Sequence, residues 1–279
     1  MIKLGIFGDQ STNRQLLEQI NRLPEVEIVG LYFTGNVVQA TDFNMFLSPA
    51  GLMDVSDAIL ILTDKNISND LVKFILRRTK PVYLQSVPNL HIKEIKELAD
   101  LEKEAGVVTS IYNPFFYNPF LNPYINSYRK PFLLNLTTCF DNAIVKPSLE
   151  LLLLVAAANR LAQSNFKKLD VFGINSVEQL VVNIRLEYDN GCLVNFTLTQ
   201  ENSKGSCEVF QKSGRTTNEF EGSLFRQSQK VGQEIDAIGN FAQMVMGRDR
   251  KTNSFDGLMI SVQIVHQINE HLRFNEIIF

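Results

Sequence analysis

The stretch LGIFGDQSTNRQLL (Leu4–Leu17) decides the fold, because its pattern of apolar residues changes at one sharp point. Up to Gly8 it is a nearly continuous apolar run, which is typical of a strand covered on both faces. From Ser11 to Arg22 the apolar residues recur with a helical period, and Pro24 follows that helix. The sequence therefore predicts a strand, a tight turn and a helix in immediate succession.

The same alternation continues to residue 112. Further strands are predicted at 27–33, 57–63, 81–84 and 107–112, and further helices at 66–78 and 90–105. The stretch 35–55 has the weakest pattern, and a short helix within it is predicted without defined ends. Alternating strands and helices favour a parallel sheet with helices on both faces, since parallel strands need crossover connections. The first half is therefore predicted to be a doubly wound α/β domain.

The segment NPFFYNPFLNP (Asn113–Pro123) interrupts this rhythm. It holds three prolines and three asparagines, so the prediction gives it neither a helix nor a central strand. Its aromatic residues are expected to anchor it, either lining a crevice or, more commonly, packing into a core. We place the domain junction here, with a first domain at 1–119 and a second domain at 120–279.

The second half has the period of an antiparallel sheet. Alternating apolar residues at 180–188 and 192–198 flank the turn Asn190-Gly191, which is the strongest short signal for a hairpin. Additional strands are predicted at 131–140, 168–174 and 207–212, and helices at 231–246 and 255–272. The terminal EIIF is a candidate edge strand. The second domain is therefore predicted to be α+β, with an open, mostly antiparallel sheet packed on helices.

The bulk composition excludes several functional classes. The formal net charge of −3 gives no electrostatic reason to expect a nucleic acid or an anionic membrane as partner. Three widely spaced cysteines (Cys139, Cys192 and Cys207) form no metal-binding pattern and suggest a reducing, cytoplasmic location. The apolar run from Leu149 is shorter than the roughly 20 residues that span a bilayer, which predicts a buried helix.

Several segments together resemble the Gfo/Idh/MocA family of oxidoreductases, which includes glucose–fructose oxidoreductase and inositol dehydrogenase. The resemblance covers nearly the whole chain and rests on the order and spacing of its segments. Those segments are MIKLGIFG (Met1–Gly8), LPEVEIVGLY (Leu23–Tyr32), DAILILT (Asp57–Thr63), KEAGV (Lys103–Val107), YDNG (Tyr188–Gly191) and QEIDAIGNF (Gln233–Phe241). It implies an N-terminal Rossmann-type domain that binds NAD or NADP, and a C-terminal domain that serves substrate binding or oligomerisation.

The family's cofactor motif is only partly present. Its G-x-G-x-x-G falls on the six residues from Gly8 to Asn13, and only Gly8 is kept. The second glycine of that motif lets the backbone approach the pyrophosphate, and the third lets helix and strand pack closely. The acidic residue that would hold the ribose hydroxyl aligns with Phe33, which cannot accept a hydrogen bond.

Two interpretations of the corner remain open. In one, the segment Asp9–Thr12 merely caps the following helix. In the other, it is an atypical phosphate loop that uses the hydroxyls of Ser11 and Thr12 at a helix start. The second interpretation gives the following candidate cofactor-binding residues: Gly8, Gln10, Ser11, Thr12 and Thr63.

The family's catalytic motifs have lost their reactive groups. Its E-K-P aligns with Gln85-Ser86-Val87, so the lysine is replaced by Ser86. Its H-D-x-D aligns best with Pro147-Ser148-Leu149-Glu150, where only Glu150 could act as a base. We therefore assign no catalytic residue and no metal site, and we note Ser86 and Glu150 as the residues at or near the family's catalytic positions.

Two functional hypotheses follow. The first is an NAD(P)-dependent oxidoreductase of the Gfo/Idh/MocA type that acts on a sugar-like small molecule. The alternative is a non-catalytic pseudo-oxidoreductase that serves as a small-ligand-binding or protein-interaction module. Either protein is expected to form a homo-oligomer, most simply a homodimer through the sheet of the second domain.

Overall fold

The computed structural model describes most of the chain. The described residues are 1–9, 12, 14–33, 43–63, 67–88, 91–125, 130–139, 149–175, 180–199, 204–228, 231–248 and 253–274. The chain divides into two compact units, each built from two separate segments. The first unit holds Met1–Tyr112 and Val231–Met259, and the second holds Asn113–Lys230 and Ile260–Phe279.

The first unit contains a five-stranded parallel sheet. Its strands are β1 (Ile2–Gly8), β2 (Val26–Phe33), β3 (Ala58–Leu62), β4 (Val82–Leu84) and β5 (Thr109–Ile111), in the order β2-β1-β3-β4-β5. The helices between them are α1 (Arg14–Asn21), α2 (Pro49–Val55), α3 (Asn69–Arg77) and α4 (Ile92–Ala105). The predicted doubly wound α/β arrangement is confirmed, and the described part of the weak stretch, residues 43–55, contains the short helix α2.

Burial explains why these segments form strands. All residues of β3 are buried, as expected for a strand that is covered by helices on both faces. In α1 the side chains of Leu16, Leu17 and Ile20 are buried, and they are the residues that carried the helical period. The strand–turn–helix succession read from the opening stretch is thus present.

A helix from the far end of the sequence completes the first unit. This helix, α8 (Val231–Val245), packs against α1, and its Phe241 ring lies 5.9 Å from the ring of Tyr83 in β4. Both rings are fully buried. The α8 helix is therefore part of the core of this unit, although more than 140 residues separate it from β4 along the chain.

The second unit contains a six-stranded, mostly antiparallel sheet. Its strands are β6 (Leu133–Cys139), β7 (Phe166–Asn175), β8 (Leu180–Tyr188), β9 (Leu193–Thr199), β10 (Lys204–Gln211) and β11 (Gly214–Glu221), in the order β11-β10-β6-β9-β8-β7. Only β6 and β9 pair in parallel among these strands. The remaining helices are α5 (Asn122–Ile125), α6 (Leu149–Ala162), α7 (Leu224–Ser228) and α9 (Phe255–Phe274), which crosses the boundary between the units. The predicted α+β character and the hairpin at Asn190-Gly191 are confirmed.

The prediction that the proline-rich junction holds no helix is wrong. Residues Pro114–Tyr117 form a 3-10 turn, and α5 begins at Asn122. Proline is well suited to the first position of such a turn, and the side chain of Asn113 accepts a hydrogen bond from the Phe115 N–H at 3.0 Å. Local capping by asparagine therefore offsets the helix-breaking effect of the prolines. The candidate edge strand EIIF lies outside the described residues.

Within the described ranges, no helix is both long enough and apolar enough to cross a membrane. The leucine-rich helix α6 is buried over most of its length, as its sequence predicts.

Candidate functional site

In an open parallel sheet, ligands bind at the carboxyl ends of the strands, where the strand order reverses direction. In the first unit this point lies between β1 and β3, which are neighbours in the sheet. Gly8 and Asp9 follow the end of β1, and Thr63 follows the end of β3. The candidate cofactor residues Gly8, Thr12 and Thr63 are therefore brought together, whereas Gln10 and Ser11 lie outside the described residues.

Side-chain hydrogen bonds join the two strand ends. The hydroxyl of Thr63 donates to Asp9 Oδ2 at 2.5 Å, and the hydroxyl of Thr12 donates to the carbonyl oxygen of Leu62 at 2.8 Å. Thr12 Oγ1 also accepts from the Asp9 N–H at 3.1 Å, and the Thr12 N–H donates to the Asp9 carbonyl oxygen at 3.0 Å. The hydroxyls of Thr12 and Thr63 thus have intramolecular partners at this corner.

Gly8 is required by the closeness of the corner. A Cβ atom at this position would lie closer to Thr12 Oγ1 than real Cβ contacts allow, and 2.9 Å from Cε1 of Phe33. The first glycine of the motif thus keeps its role in making a tight turn. The Phe33 ring packs against Gly8 at the position where the resemblance places an acidic residue for the ribose.

These described residues do not fit a dinucleotide held in the manner of the family. Asp9 is only 5% exposed, and its carboxyl group lies at the corner where the diphosphate would approach. A diphosphate needs N–H groups or cations, and an aspartate adds charge of the same sign. Among the described residues that end or follow β1 to β5, none is lysine or arginine.

A second polar group lies at the carboxyl end of β4. The side-chain amide of Gln85 donates a hydrogen bond to the carboxyl group of Glu234 in the first turn of α8. Burial raises the pKa of Glu234 to about 7, and the hydrogen bond from Gln85 opposes that rise. Ser86, the candidate at the family's lysine position, follows Gln85 and is half-buried. An acid that titrates near neutral pH is suited to proton transfer.

Sequence reasoning missed Glu234, although a signal was present. Glu234 lies four residues before Ile238 and seven before Phe241, and both of these side chains are fully buried. Residues spaced in this way share one face of a helix. An acidic residue on the apolar face of a predicted helix is the pattern that could have identified Glu234.

The other candidate at a catalytic position, Glu150, lies in the second unit. It is half-buried in the first turn of α6, and its Oε1 accepts a hydrogen bond from the Ser223 hydroxyl at 2.7 Å. Ser223 Oγ also accepts from the Phe225 N–H at 3.2 Å, so this group fastens the start of α7. The contacts of Glu150 therefore have a structural explanation within this unit.

The cysteines and the metal-ligating residues do not form a further site in the described ranges. Cys139, Cys192 and Cys207 are buried and form no disulfide, and burial raises the pKa of Cys192 to about 11. A thiol with a raised pKa is a poor nucleophile at neutral pH, since the thiolate is the reactive form. No group of three or more His, Cys, Asp or Glu side chains that could hold a metal ion is found there.

The sequence matches no protein-family profile and no curated protein. Solved structures, in contrast, match over the whole chain. A probable dehydrogenase from Thermotoga maritima has a TM-score of 0.75 at 13% identity and covers 99% of this chain and 100% of its own. A myo-inositol dehydrogenase from Corynebacterium glutamicum ATCC 13032 has a TM-score of 0.73 at 13% identity, with 99% and 97% covered.

A UDP-N-acetylglucosamine 3-dehydrogenase from Acidithiobacillus ferrooxidans is similar to the same degree. Its TM-score is 0.73 at 12% identity, and the match covers 96% of this chain and 97% of that one. At such low identity these likenesses establish the fold. The chain has the two-domain fold of Gfo/Idh/MocA-type dehydrogenases, as the sequence segments predict.

Proposed function

We propose that this protein is a pseudo-oxidoreductase with the Gfo/Idh/MocA fold, which binds a small, hydroxyl-rich molecule at the carboxyl edge of its parallel sheet. The observation that carries this proposal is the chemistry of that edge. Its described residues supply two carboxyl groups, Asp9 and Glu234, together with Thr63, Gln85 and Ser86, and no lysine or arginine among those that end or follow the strands. Such groups suit a neutral polyol and disfavour a phosphorylated ligand.

The ligand class has support from a protein of the same fold. One of the similar structures is a myo-inositol dehydrogenase, and myo-inositol is a neutral molecule with several hydroxyl groups. Shared fold does not transfer function by itself. Here the inference also depends on the carboxyl and amide groups at the strand ends, which are the usual partners of sugar hydroxyls.

A second candidate is an NAD(P)-dependent oxidoreductase that acts on a sugar-like small molecule. Two observations favour it: dehydrogenase structures match the chain from end to end, and Glu234 has a pKa near neutrality. This candidate requires a different way of holding the cofactor, because the corner lacks the second and third glycines and the ribose acid.

A cofactor titration separates the two candidates. The chain has no tryptophan, so the fluorescence of bound NADH or NADPH is readily observed. The first proposal expects no saturable enhancement even at millimolar cofactor. Saturable enhancement at micromolar cofactor would instead favour the second candidate, and oxidation of myo-inositol or N-acetylglucosamine with NAD or NADP would then be measured.

We further propose that the protein is a homodimer in the reducing cytoplasm. Buried cysteines that form no disulfide support the compartment, and the sheet of the second unit supports the dimer. Two phenylalanines of this sheet region, Phe132 and Phe172, are 51% and 66% exposed. Light scattering coupled to gel filtration measures the mass directly, and a mass equal to the 31.7 kDa chain would contradict the dimer.

A further inference from the structure

We infer that Glu234 and Gln85 form a subsite in which the carboxyl group of Glu234 accepts a hydrogen bond from a ligand hydroxyl. This inference deepens the proposed function and rests on it, since it identifies which residues recognise the hydroxyl-rich molecule. It concerns only the first unit, to which both residues belong.

Packing fixes the position of Glu234 at the ligand edge of the sheet. Tyr83 and Gln85 are two residues apart, so they share one face at the end of β4. Glu234 and Phe241 are seven residues apart and share one face of α8. Tyr83 contacts Phe241 and Gln85 contacts Glu234, so α8 runs antiparallel to β4 and begins beside its carboxyl end.

The same helical turn holds two buried acceptor atoms whose hydrogen-bonding capacity is unused by the described protein groups. These atoms are Oε1 of Glu234 and Oε1 of the neighbouring Gln233, whose side chain is 8% exposed. Leaving a buried acceptor unsatisfied is unfavourable, and native proteins keep few such groups. A donor supplied by a ligand satisfies the Glu234 oxygen and explains why a glutamate occupies an apolar face.

A hydroxyl matches the local groups better than an ammonium ion does. The amide of Gln85 has two N–H donors, of which one is used by Glu234. A hydroxyl can donate to Glu234 Oε1 and accept from the second N–H of Gln85, whereas an ammonium ion can only donate. Two adjacent hydroxyls on a ring would engage both side chains at once.

The test compares the binding of myo-inositol and N-acetylglucosamine to the wild-type protein and to three variants by calorimetry. Glu234→Met removes both acceptors at similar length, and Glu234→Gln keeps one of them. The control, Asp236→Asn, removes the same charge from an exposed position on the same helix. Since Glu234→Met leaves the ligand hydroxyl without its hydrogen-bond partner, it should weaken binding about tenfold or more. Glu234→Gln should weaken it less, and Asp236→Asn should not change it.

The outcomes distinguish the subsite from the broader proposal. If the wild-type protein binds a probe and Glu234→Met binds it equally well, the subsite is wrong while the proposed function stands. If neither probe binds the wild-type protein at tens of millimolar, the proposed function fails and the subsite fails with it. Circular dichroism confirms that each variant is folded. If Glu234→Met does not fold, the comparison of Glu234→Gln with Asp236→Asn decides, and equal affinities contradict the subsite.

Discussion

A single glycine determines how closely the first helix can approach the first strand. Gly8 has no side chain, and both the Thr12 hydroxyl and the Phe33 ring occupy the space that a Cβ would need. We predict that Gly8→Ala destabilises the protein by about 1 to 3 kcal/mol, because overpacking forces neighbouring groups to shift. Urea unfolding followed by circular dichroism measures this difference.

The control for this substitution is Gly232→Ala, at an exposed position in α8. A Cβ there would meet nothing within 4 Å, so the change should be neutral or stabilising by up to about 1 kcal/mol. Equal effects of the two substitutions would contradict the close approach described at the corner.

The partly buried carboxyl group of Glu234 predicts a dependence of stability on pH. Its pKa is raised from 4.5 to about 7 in the folded protein, so the folded state binds the proton more tightly than the unfolded state. The contribution of this group is therefore most favourable below about pH 4.5 and is lost as the pH rises to about 7. At 1.36 kcal/mol per pKa unit, reduced for partial exposure, the loss is about 2 to 3 kcal/mol.

The variant Glu234→Gln does not titrate, so it should lose this dependence. Relative to wild type, its free energy of unfolding should rise by about 2 to 3 kcal/mol between about pH 4 and pH 8. Denaturant titrations at several pH values measure it, and Asp236→Asn provides the reference for an exposed acid. Parallel pH profiles for wild type and Glu234→Gln would show that Glu234 is not buried as described.

For individual residues, the sequence shows which residue types occupy the motif positions, but it does not show which side chains are buried or which residues they contact. The tight turn at Gly8 and the missing lysine at Ser86 are visible in the sequence because they occupy motif positions. Glu234 is visible only as an acid within an apolar stripe, and its contact with Gln85 joins positions that are distant in sequence. Propensity and spacing report local preference and do not report such contacts.

At the scale of the element, the strand–turn–helix succession can be restored toward the dinucleotide-binding form. The variant Gln10→Gly, Asn13→Gly and Phe33→Asp supplies both missing glycines and an acid for the ribose. We predict that it creates or tightens the binding of NADH, because backbone clearance and a hydroxyl acceptor are what the motif provides. Nicotinamide fluorescence with increasing NADH measures the affinity.

Asp9 remains in that variant, and its carboxyl group is expected to limit the affinity for NADH. Since its carboxyl group lies at the corner, the fourth substitution Asp9→Ala should strengthen NADH binding further. The matched control keeps Gln10 and Asn13 and changes only Phe33→Asp. If the four-substitution variant folds but binds neither NADH nor NADPH, the crevice between β1 and β3 is not where a dinucleotide would bind.

Elements with a buried face were predictable from sequence, and elements without one were not. The apolar run DAILILT identified β3, and the alternation around Asn190-Gly191 identified β8 and β9. The edge strand β11 was missed because Phe220 is its single buried residue, so its sequence has no alternation. The 3-10 turn in the junction was not predicted, because the number of prolines does not show that the Asn113 side chain caps the following turn.

At the scale of the whole molecule, the chain returns to a unit that it has already left. The proline- and asparagine-rich junction places the end of the first domain at residue 119. The helical period of α8 shows which of its faces is apolar, but not that this face packs against the first unit. Ala237, Ile238 and Phe241 of α8 are buried, and Phe241 contacts Tyr83 of β4. The backbone of Ile111 in β5 also donates to the carbonyl oxygen of Asn253 at 2.8 Å. The first unit therefore depends on two segments that are remote in sequence.

This dependence predicts how a fragment behaves. A fragment of residues 1–119 lacks α8, which leaves the apolar surface around Tyr83 and α1 exposed, so it should show no cooperative thermal transition. Exposing a large buried aromatic side chain and its neighbours costs several kcal/mol, which is comparable to the whole stability of a small domain. A peptide of residues 229–259 added in trans should restore cooperative unfolding, with a midpoint that rises with peptide concentration by mass action.

The control peptide carries Phe241→Ala and Ile238→Ala and should not restore cooperative unfolding. A fragment of residues 1–119 that unfolds cooperatively alone, with the same midpoint in either peptide, would mean that α8 is dispensable to this unit.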